Sequence, residues 1–169
     1  MNTILLNNLY ILIIEVLIFL THNTIIIVIH LAETLVNNKV SKKIKKIIEE
    51  LALFDDWEEK YLYIIELGIR LPKLKPNQKI ETNKVSGCIS QVWLTHKITN
   101  NTFYFYGDSD AIIVKGLLSI VISLYSKKTR KEIQAIDFID IFQKMDLKNN
   151  LTPSRSNGLF SVINKIRSL

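Results

Sequence analysis

The sequence predicts an α+β class: a small antiparallel β-sheet packed against several α-helices. Three observations carry this reading. Residues 90–106 alternate as two strands about an Asn100-Asn101 turn. Apolar residues recur at helical spacing within 40–53 and again within 56–67. The run AIIVKGLLSIVISLY, 111–125, is apolar nearly all round, as a helix inside a core is. Two strands alone are marginal in water, so helices or a further strand must cover one face of the hairpin. A chain of 169 residues with 48% apolar side chains is long and hydrophobic enough for one domain with a real core.

The first residues stand apart. Residues 1–31 hold one acid, Glu15, and no lysine or arginine, although the chain has 22 basic residues. LYILIIEVLIFL (9–20) and TIIIVIHL (24–31) are separated by Thr21-His22-Asn23. Together they are long enough to cross a bilayer, but Glu15 would be costly in lipid. A secretory signal would begin with positive charge and end at a small-residue cleavage site, and neither is present. The segment admits three readings. One is a membrane anchor through residues 9–31, with the basic 39–46 stretch on the cytoplasmic side. The second is an apolar helix packed on the domain or on a partner. The third is an upstream extension that the working protein lacks. The domain division that follows is 1–38 as an apolar N-terminal extension and 39–169 as the functional domain. His22 and His30 are assigned no chemistry.

In VSKKIKKIIEELAL, Ile44, Ile47, Ile48 and Leu51 share one face and lysines and glutamates the other, an amphipathic surface helix. Asp55 with Glu58 resembles a capping box opening a second helix, 56–67, on which Trp57, Tyr61, Ile64 and Ile65 align and Gly68 is the expected stop. RLPKLKPNQKIETN, 70–83, is a polar connection. In the hairpin, Val92, Leu94 and Ile98 are expected on one face, with Gln91, Trp93, Thr95 and Lys97 on the other. Asp108 or Ser109 of GDSD is expected to cap helix 111–125. Gly116 inside that helix costs up to ~1 kcal/mol, which predicts close packing against another backbone. Thr129 with Glu132 caps a short turn, Asp137 opens another reaching Met145, and Thr152-Pro153 opens a last helix to about Ile166.

The net charge of +6 rests mainly on lysine, without zinc-finger spacing, an arginine stripe or an RNA-binding aromatic motif, so no nucleic-acid partner is expected. A single cysteine excludes an internal disulfide and a cysteine-cluster metal site, and fits a reducing compartment.

That cysteine, Cys88, sits in KVSGCISQVWL directly after Gly87, at a bend at the head of an expected strand. A thiol there can be a nucleophile, a metal ligand or a carrier of sulfur, and it reacts as thiolate. The Gly87 bend, the positive end of helix 111–125 and Arg155 are the features that can activate it. His96 is the only histidine after residue 31, and it lies up to ~26 Å along an extended strand, too far to serve as base. An inert thiol on a tight turn is the bland alternative. Asp108 and Asp110 lack further ligands at metal-binding spacing and read as caps. The aromatic residues Trp93 and 103–106 read as hairpin packing. Lys115 either meets an acidic group or reaches solvent. Ser154 and Arg155 either hold an anion or lock the last helix to the domain.

Four blocks in order make the chain similar to a known family: DWEEKYLYIIELG (56–68), KVSGCISQVWL (84–94), GDSDAIIVKGL (107–117) and LTPSRSNGL (151–159). Over roughly 41–167 it resembles SufE and its sibling CsdE, sulfur-acceptor proteins of iron–sulfur cluster assembly. The resemblance implies the compact α+β fold. It also implies that Cys88 takes sulfur from the persulfide of a PLP-dependent cysteine desulfurase, SufS, stimulates that enzyme, and passes the sulfur to a SufBCD-type scaffold complex. PLP then belongs to the partner, and this chain needs no cofactor or metal of its own. It would be a sulfur-transfer partner rather than a stand-alone enzyme. The family shelters its cysteine in an apolar pocket. Gly87, Trp93, Leu94, Ser109 and Arg155 are the candidates for that pocket and for holding its loop, with Asp110 and Lys115 as structural or docking residues. The family usually has glutamine where Ile89 stands. It does not carry residues 1–31. The cytoplasm is the expected location, and a homodimer stays open. The competing classes are an independent thiol enzyme, such as a peroxidase or transferase, and a structural adaptor.

Overall fold

The computed structural model describes Thr24 and residues 41–169. The apolar runs of 9–31 (Thr24 apart) and the readings attached to them lie outside the described residues. Val40–Leu169 forms one compact unit.

Helix α1, Lys42–Leu51, starts where the Ser41 hydroxyl accepts the Ile44 N–H, and it buries Ile44, Ile47 and Leu51. Helix α2, Trp57–Ile69, is capped by Asp56, whose carboxylate accepts the Glu59 N–H at 2.8 Å. The cap expected at Asp55 is therefore displaced by one residue, and it is a single side-chain cap without the reciprocal bond of a box. Gly68 does not stop α2 but lies inside it, and the helix ends at Arg70 ahead of Pro72.

The reason is packing against α3, Ile112–Tyr125. A Cβ on Gly68 would stand 2.6 Å from the Gly116 nitrogen, and one on Gly116 would collide with the Ile64 carbonyl. The two helices thus cross at backbone contact, as the interior glycine of α3 predicted. Side chains at the crossing normally set helix separation, and the two glycines let α2 and α3 approach with only the Ile64 side chain beside Gly116.

The connection 71–91 contains 3₁₀ turns at Pro76–Gln78 and Glu81–Asn83. Strands β1, Val92–Thr99, and β2, Thr102–Ser109, pair antiparallel with Val92 opposite Ser109 and Thr99 opposite Thr102. Asn100 and Asn101 form the two-residue turn, with φ of 49° and 60°. Consecutive left-handed residues match the right-handed twist of a hairpin, and asparagine tolerates them. Isolated bridges, Lys84 to Trp93 and Phe103 to Lys128, extend the pairing on both edges.

Val92, Leu94, Phe103 and Phe105 are buried on the face that meets α3. Ile98, expected on that face, is 53% exposed, because burial of β1 ends near Thr95. His96 is also exposed, its ring 6.0 Å from that of Phe103 and 6.2 Å from that of Phe105.

β2 runs through the GDSD segment to Ser109, so Asp108 is a strand residue and not a helix cap. Ala111 holds the cap position of α3, and the Ser109 hydroxyl accepts its N–H at 3.3 Å.

Helix α4, Arg130–Gln134, opens on the expected Thr129–Glu132 box. Helix α5, Phe138–Lys144, is capped by Asp137. Helix α6, Leu147–Asn150, was not legible in the sequence and begins at Asp146 in a left-handed conformation. Helix α7, Pro153–Arg167, opens on Thr152 with proline at its first position. The result is an α+β fold: a two-stranded antiparallel sheet with helices packed about the central α3. Among the described residues no helix is long and apolar enough to cross a membrane.

Candidate functional site

Two contacts define the base of the loop that carries the cysteine. The Val85 N–H donates to the Val92 carbonyl at 2.8 Å. The Gln91 N–H donates to the Asp110 carboxylate at 2.9 Å, while the Asp110 N–H donates to the Gln91 carbonyl at 3.2 Å. Asp110 thereby ties the entry of β1 to the exit of β2. On the other side Lys165 of α7 donates to the Lys84 carbonyl at 2.7 Å.

Between these ties, 86–90 follows its own path. Gly87 has φ of +84°, which a side chain would strain, and a Cβ there would lie 2.7 Å from the Ser161 hydroxyl of α7. The turn sends Cys88 inward and leaves Ile89 outside, 87% exposed. The strand begins at Val92, so Cys88 belongs to the loop and not to the head of the strand.

The Cys88 sulfur is half-buried and points at the Gly158 carbonyl, 3.5 Å away. It opens on a cavity of about 290 Å³. The walls come from α3 (Ile113, Val114, Leu117) and α7 (Leu159, Val162), and Arg155 stands at the polar side. Burial pushes the thiol above its ordinary pKa of 9.0. The start of α3 and Arg155 share the cavity, yet no charge offsets that desolvation. Arg155 is engaged elsewhere: its guanidinium donates to the Tyr61 hydroxyl at 3.2 Å and lies 5.5 Å from the Tyr61 ring centre. The desolvation favours the protonated thiol, whose S–H is directed to a backbone carbonyl.

Trp93, Leu94 and Ser109 do not line this cavity. Leu94 is core, and Trp93 lies on the opposite face with the Lys79 ammonium 5.3 Å from its ring centre. Ser109 is buried beneath the start of α3.

Lys115 meets an acid inside the protein: its ammonium lies 2.8 Å from Asp108 Oδ1, while Lys79 lies 2.8 Å from Oδ2. The same carboxylate accepts the backbone N–H of Leu74 at 3.3 Å and of Ser109 at 3.0 Å. Burial alone would raise the Asp108 pKa, but the hydrogen bonds and charges of Lys115 and Lys79 outweigh it and hold the carboxyl below its ordinary value.

Sequence reasoning did not find Gly158, Tyr61 or the α3 wall. Gly158 and Arg155 lie in one matched block, which was the available signal for Gly158. For Tyr61 the residue pattern showed only a core-facing position. Among the described residues no group of three or more His, Cys, Asp or Glu side chains could hold a metal ion. The arrangement offers a lone thiol, without a base, in an apolar chamber that opens to solvent.

Residues 45–169 match the family model SufE, "Fe-S metabolism associated domain". An uncharacterized SufE-like protein of Rhizobium etli is 48% identical over 126 residues, covering 72% of this chain and 85% of its own. A second from Rhizobium meliloti is 44% identical over 127 residues, covering 73% and 91%. The solution structure of a hypothetical protein from Thermus thermophilus superposes with a TM-score of 0.61 over 76% of this chain and 93% of its own; at 16% identity it supports the fold alone. The thiol loop, the fold around it and these matches agree: the chain belongs to the SufE family.

Proposed function

We propose that residues 39–169 act as a sulfur acceptor whose persulfide carrier is Cys88, and that the donor is a PLP-dependent cysteine desulfurase of the SufS type. The observation that carries this reading is a single thiol in an apolar cavity with no base beside it. A self-sufficient thiol enzyme needs a low-pKa cysteine or an adjacent base. An acceptor does not, because its partner delivers an activated sulfur.

The step is an exchange. Cys88 gives up its proton and its thiolate attacks the outer sulfur of the donor persulfide. The donor S–S bond breaks as the Cys88 S–S bond forms, and the donor cysteine leaves as thiolate and takes up a proton. There is no net oxidation or reduction. The new sulfur sits ~2.05 Å from the Cys88 sulfur, so the cavity has room for it. Its apolar wall keeps solution thiols away from the persulfide. A second exchange onto a SufBCD-type scaffold then returns Cys88 to the thiol. Gly87 and Asp110 hold the loop, Arg155 marks the polar side of the chamber, and Trp93, Ser109 and Lys115 support the frame around it. The cytoplasm, where the thiol stays reduced, is the compartment for this cycle.

The test is an intact mass and peptide map after incubation with the desulfurase and L-cysteine. We expect added sulfur on Cys88, absent in Cys88→Ser and absent without the desulfurase. An unmodified Cys88 beside a persulfidated donor would move the adaptor reading ahead. Turnover of a peroxide or other substrate without the donor would favour an independent thiol enzyme.

A further inference from the structure

The segment that leads into Cys88 runs along one stripe of α7. Gly158, Ser161 and Lys165 follow the i, i+3, i+7 spacing and stand one above another on the same helix face. Each meets the segment at a different level. The Gly158 carbonyl lies 3.5 Å from the Cys88 sulfur. The Ser161 hydroxyl fills the space that a Gly87 Cβ would take. The Lys165 ammonium donates to the Lys84 carbonyl at 2.7 Å and to the Thr82 carbonyl at 3.3 Å. As the helix climbs from 158 to 165, the segment descends from 88 to 82, so the two lie antiparallel in a fixed register.

Lys165 differs from the other two. Gly158 and Ser161 give the loop one long sulfur contact and a steric limit. Lys165 gives it charge-assisted hydrogen bonds, the stronger kind. Among the described residues no carboxylate pairs with this ammonium, and burial lowers its pKa from 10.5. Its partners are carbonyls at the end of the 3₁₀ turn Glu81–Asn83, where a lysine can satisfy acceptors that the turn leaves over. The Lys84 carbonyl also shares a peptide unit with the Val85 N–H, which donates to the Val92 carbonyl at 2.8 Å. That peptide is therefore gripped on both sides, by α7 and by β1, three residues before the thiol turns inward.

We infer that Lys165 is a positioning residue for Cys88: by fixing the 84–85 peptide against α7 it keeps the loop laid along the Gly158–Ser161 stripe and the thiol inside its chamber. One consequence rests on the sulfur-acceptor reading. Lys165 then also sets how long a loaded sulfur is kept from solution thiols.

The experiment follows iodoacetamide alkylation of Cys88 in the full chain beside urea unfolding. Lys165→Met keeps the stem and removes the ammonium. Alkylation should speed up about threefold to tenfold, less than a fully buried charge-assisted bond would carry, because the Thr82 contact is exposed. The urea midpoint should stay near wild type, since the released carbonyls can bond water and a desolvated charge is gone. Lys165→Arg keeps the charge and the donors and should restore the slow rate. Lys84→Ala removes a neighbouring charge and its pair with Glu81 but keeps the carbonyl, and should alkylate as wild type does. After loading by a SufS-type desulfurase and L-cysteine, Lys165→Met should lose its sulfur to dithiothreitol faster by a similar factor. Alkylation of Lys165→Met at the wild-type rate overturns the positioning role. An equal rise in Lys84→Ala overturns it as a general effect of charge. A rise that tracks a lower urea midpoint and is not reversed by arginine overturns it as a loss of stability. If wild-type Cys88 takes no sulfur, the acceptor reading fails, while the alkylation series still decides the role of Lys165.

Discussion

Two centres sit at the same end of the hairpin and are built on opposite physics. Asp108, 2% exposed, has both carboxylate oxygens engaged by ammonium groups and accepts two backbone N–H groups besides. Cys88 has one long contact to a carbonyl and an open chamber. The first centre fastens the connection 71–91, the end of β2 and α3 together. The second leaves its side chain almost untied. The charged residues of the matched GDSDAIIVKGL block are thus paired within the protein, while the thiol has a single long contact. A firm frame and a weak hold suit the sulfur acceptor proposed above, whose thiol meets another protein's cysteine.

Breaking the firm centre should give the largest effect. Asp108→Ala strands the buried ammonium of Lys115 without its partner. Removing one member of a buried pair costs ~3–5 kcal/mol, so urea unfolding should show a loss of that order. Cys88→Ser should leave the same unfolding curve nearly unmoved and abolish sulfur loading altogether. A destabilised Cys88→Ser, or an Asp108→Ala as stable as wild type, would erase the contrast.

The loop comes next. Gly87→Ala meets both a left-handed backbone and the Ser161 hydroxyl. The expected cost is ~1–3 kcal/mol for the backbone conformation. Adding Ser161→Ala, which removes the hydroxyl and leaves a Cβ at an ordinary 3.6 Å, should recover the part due to the clash and leave the part due to φ. Full recovery would mean that contact alone, and not the turn, places the thiol.

A gentler perturbation acts inside the chamber. A Cβ at Gly158 would stand 3.3 Å from the Cys88 sulfur, close enough to push it. The same change adds up to ~1 kcal/mol of helix propensity to α7. Gly158→Ala should therefore leave stability within ~1 kcal/mol of wild type while iodoacetamide alkylation of Cys88 speeds up. Unchanged alkylation would mean that the thiol is held more tightly than its single contact suggests.

How much of this the sequence disclosed depends on how far apart the partners are. The Asn100-Asn101 turn, the Thr129–Glu132 box, the Asp137 cap and the Thr152-Pro153 helix start are local, and the residues that make them are neighbours. Gly116 announced a close approach, but its partner Gly68 lies 48 positions earlier and reads locally as a helix stop. Asp108 reads locally as a cap, because Lys79 and Lys115 reach it from other elements. Cys88 was legible through its glycine and its block of neighbours. Its chamber was not, since its walls come from α3 and α7 and the grip on Arg155 comes from Tyr61 on α2. Spacing shows which face a residue takes, and not what it meets there.

The smallest expected effect is the pH dependence of the thiol, and it tests the weak hold directly. Burial raises the Cys88 pKa above 9.0, and nothing nearby lowers it. Alkylation of the folded protein should therefore rise with a midpoint above that of the urea-unfolded chain. Stability follows with a definite sign. Below pH 9.0 both states keep the proton and Cys88 contributes no slope. Above it the unfolded chain releases its proton first, the native state holds more protons, and stability falls with rising pH until the native thiol also ionises. Lys165, whose pKa burial lowers from 10.5, acts in the opposite sense just below that value, because the native state there holds fewer protons. The difference between wild type and Cys88→Ser isolates the thiol from this background. A folded-state midpoint at or below that of the unfolded chain would show that Arg155 or the start of α3 does activate Cys88. The chamber would then be an electrostatic site like Asp108, and the division between a charged frame and an apolar thiol would not hold.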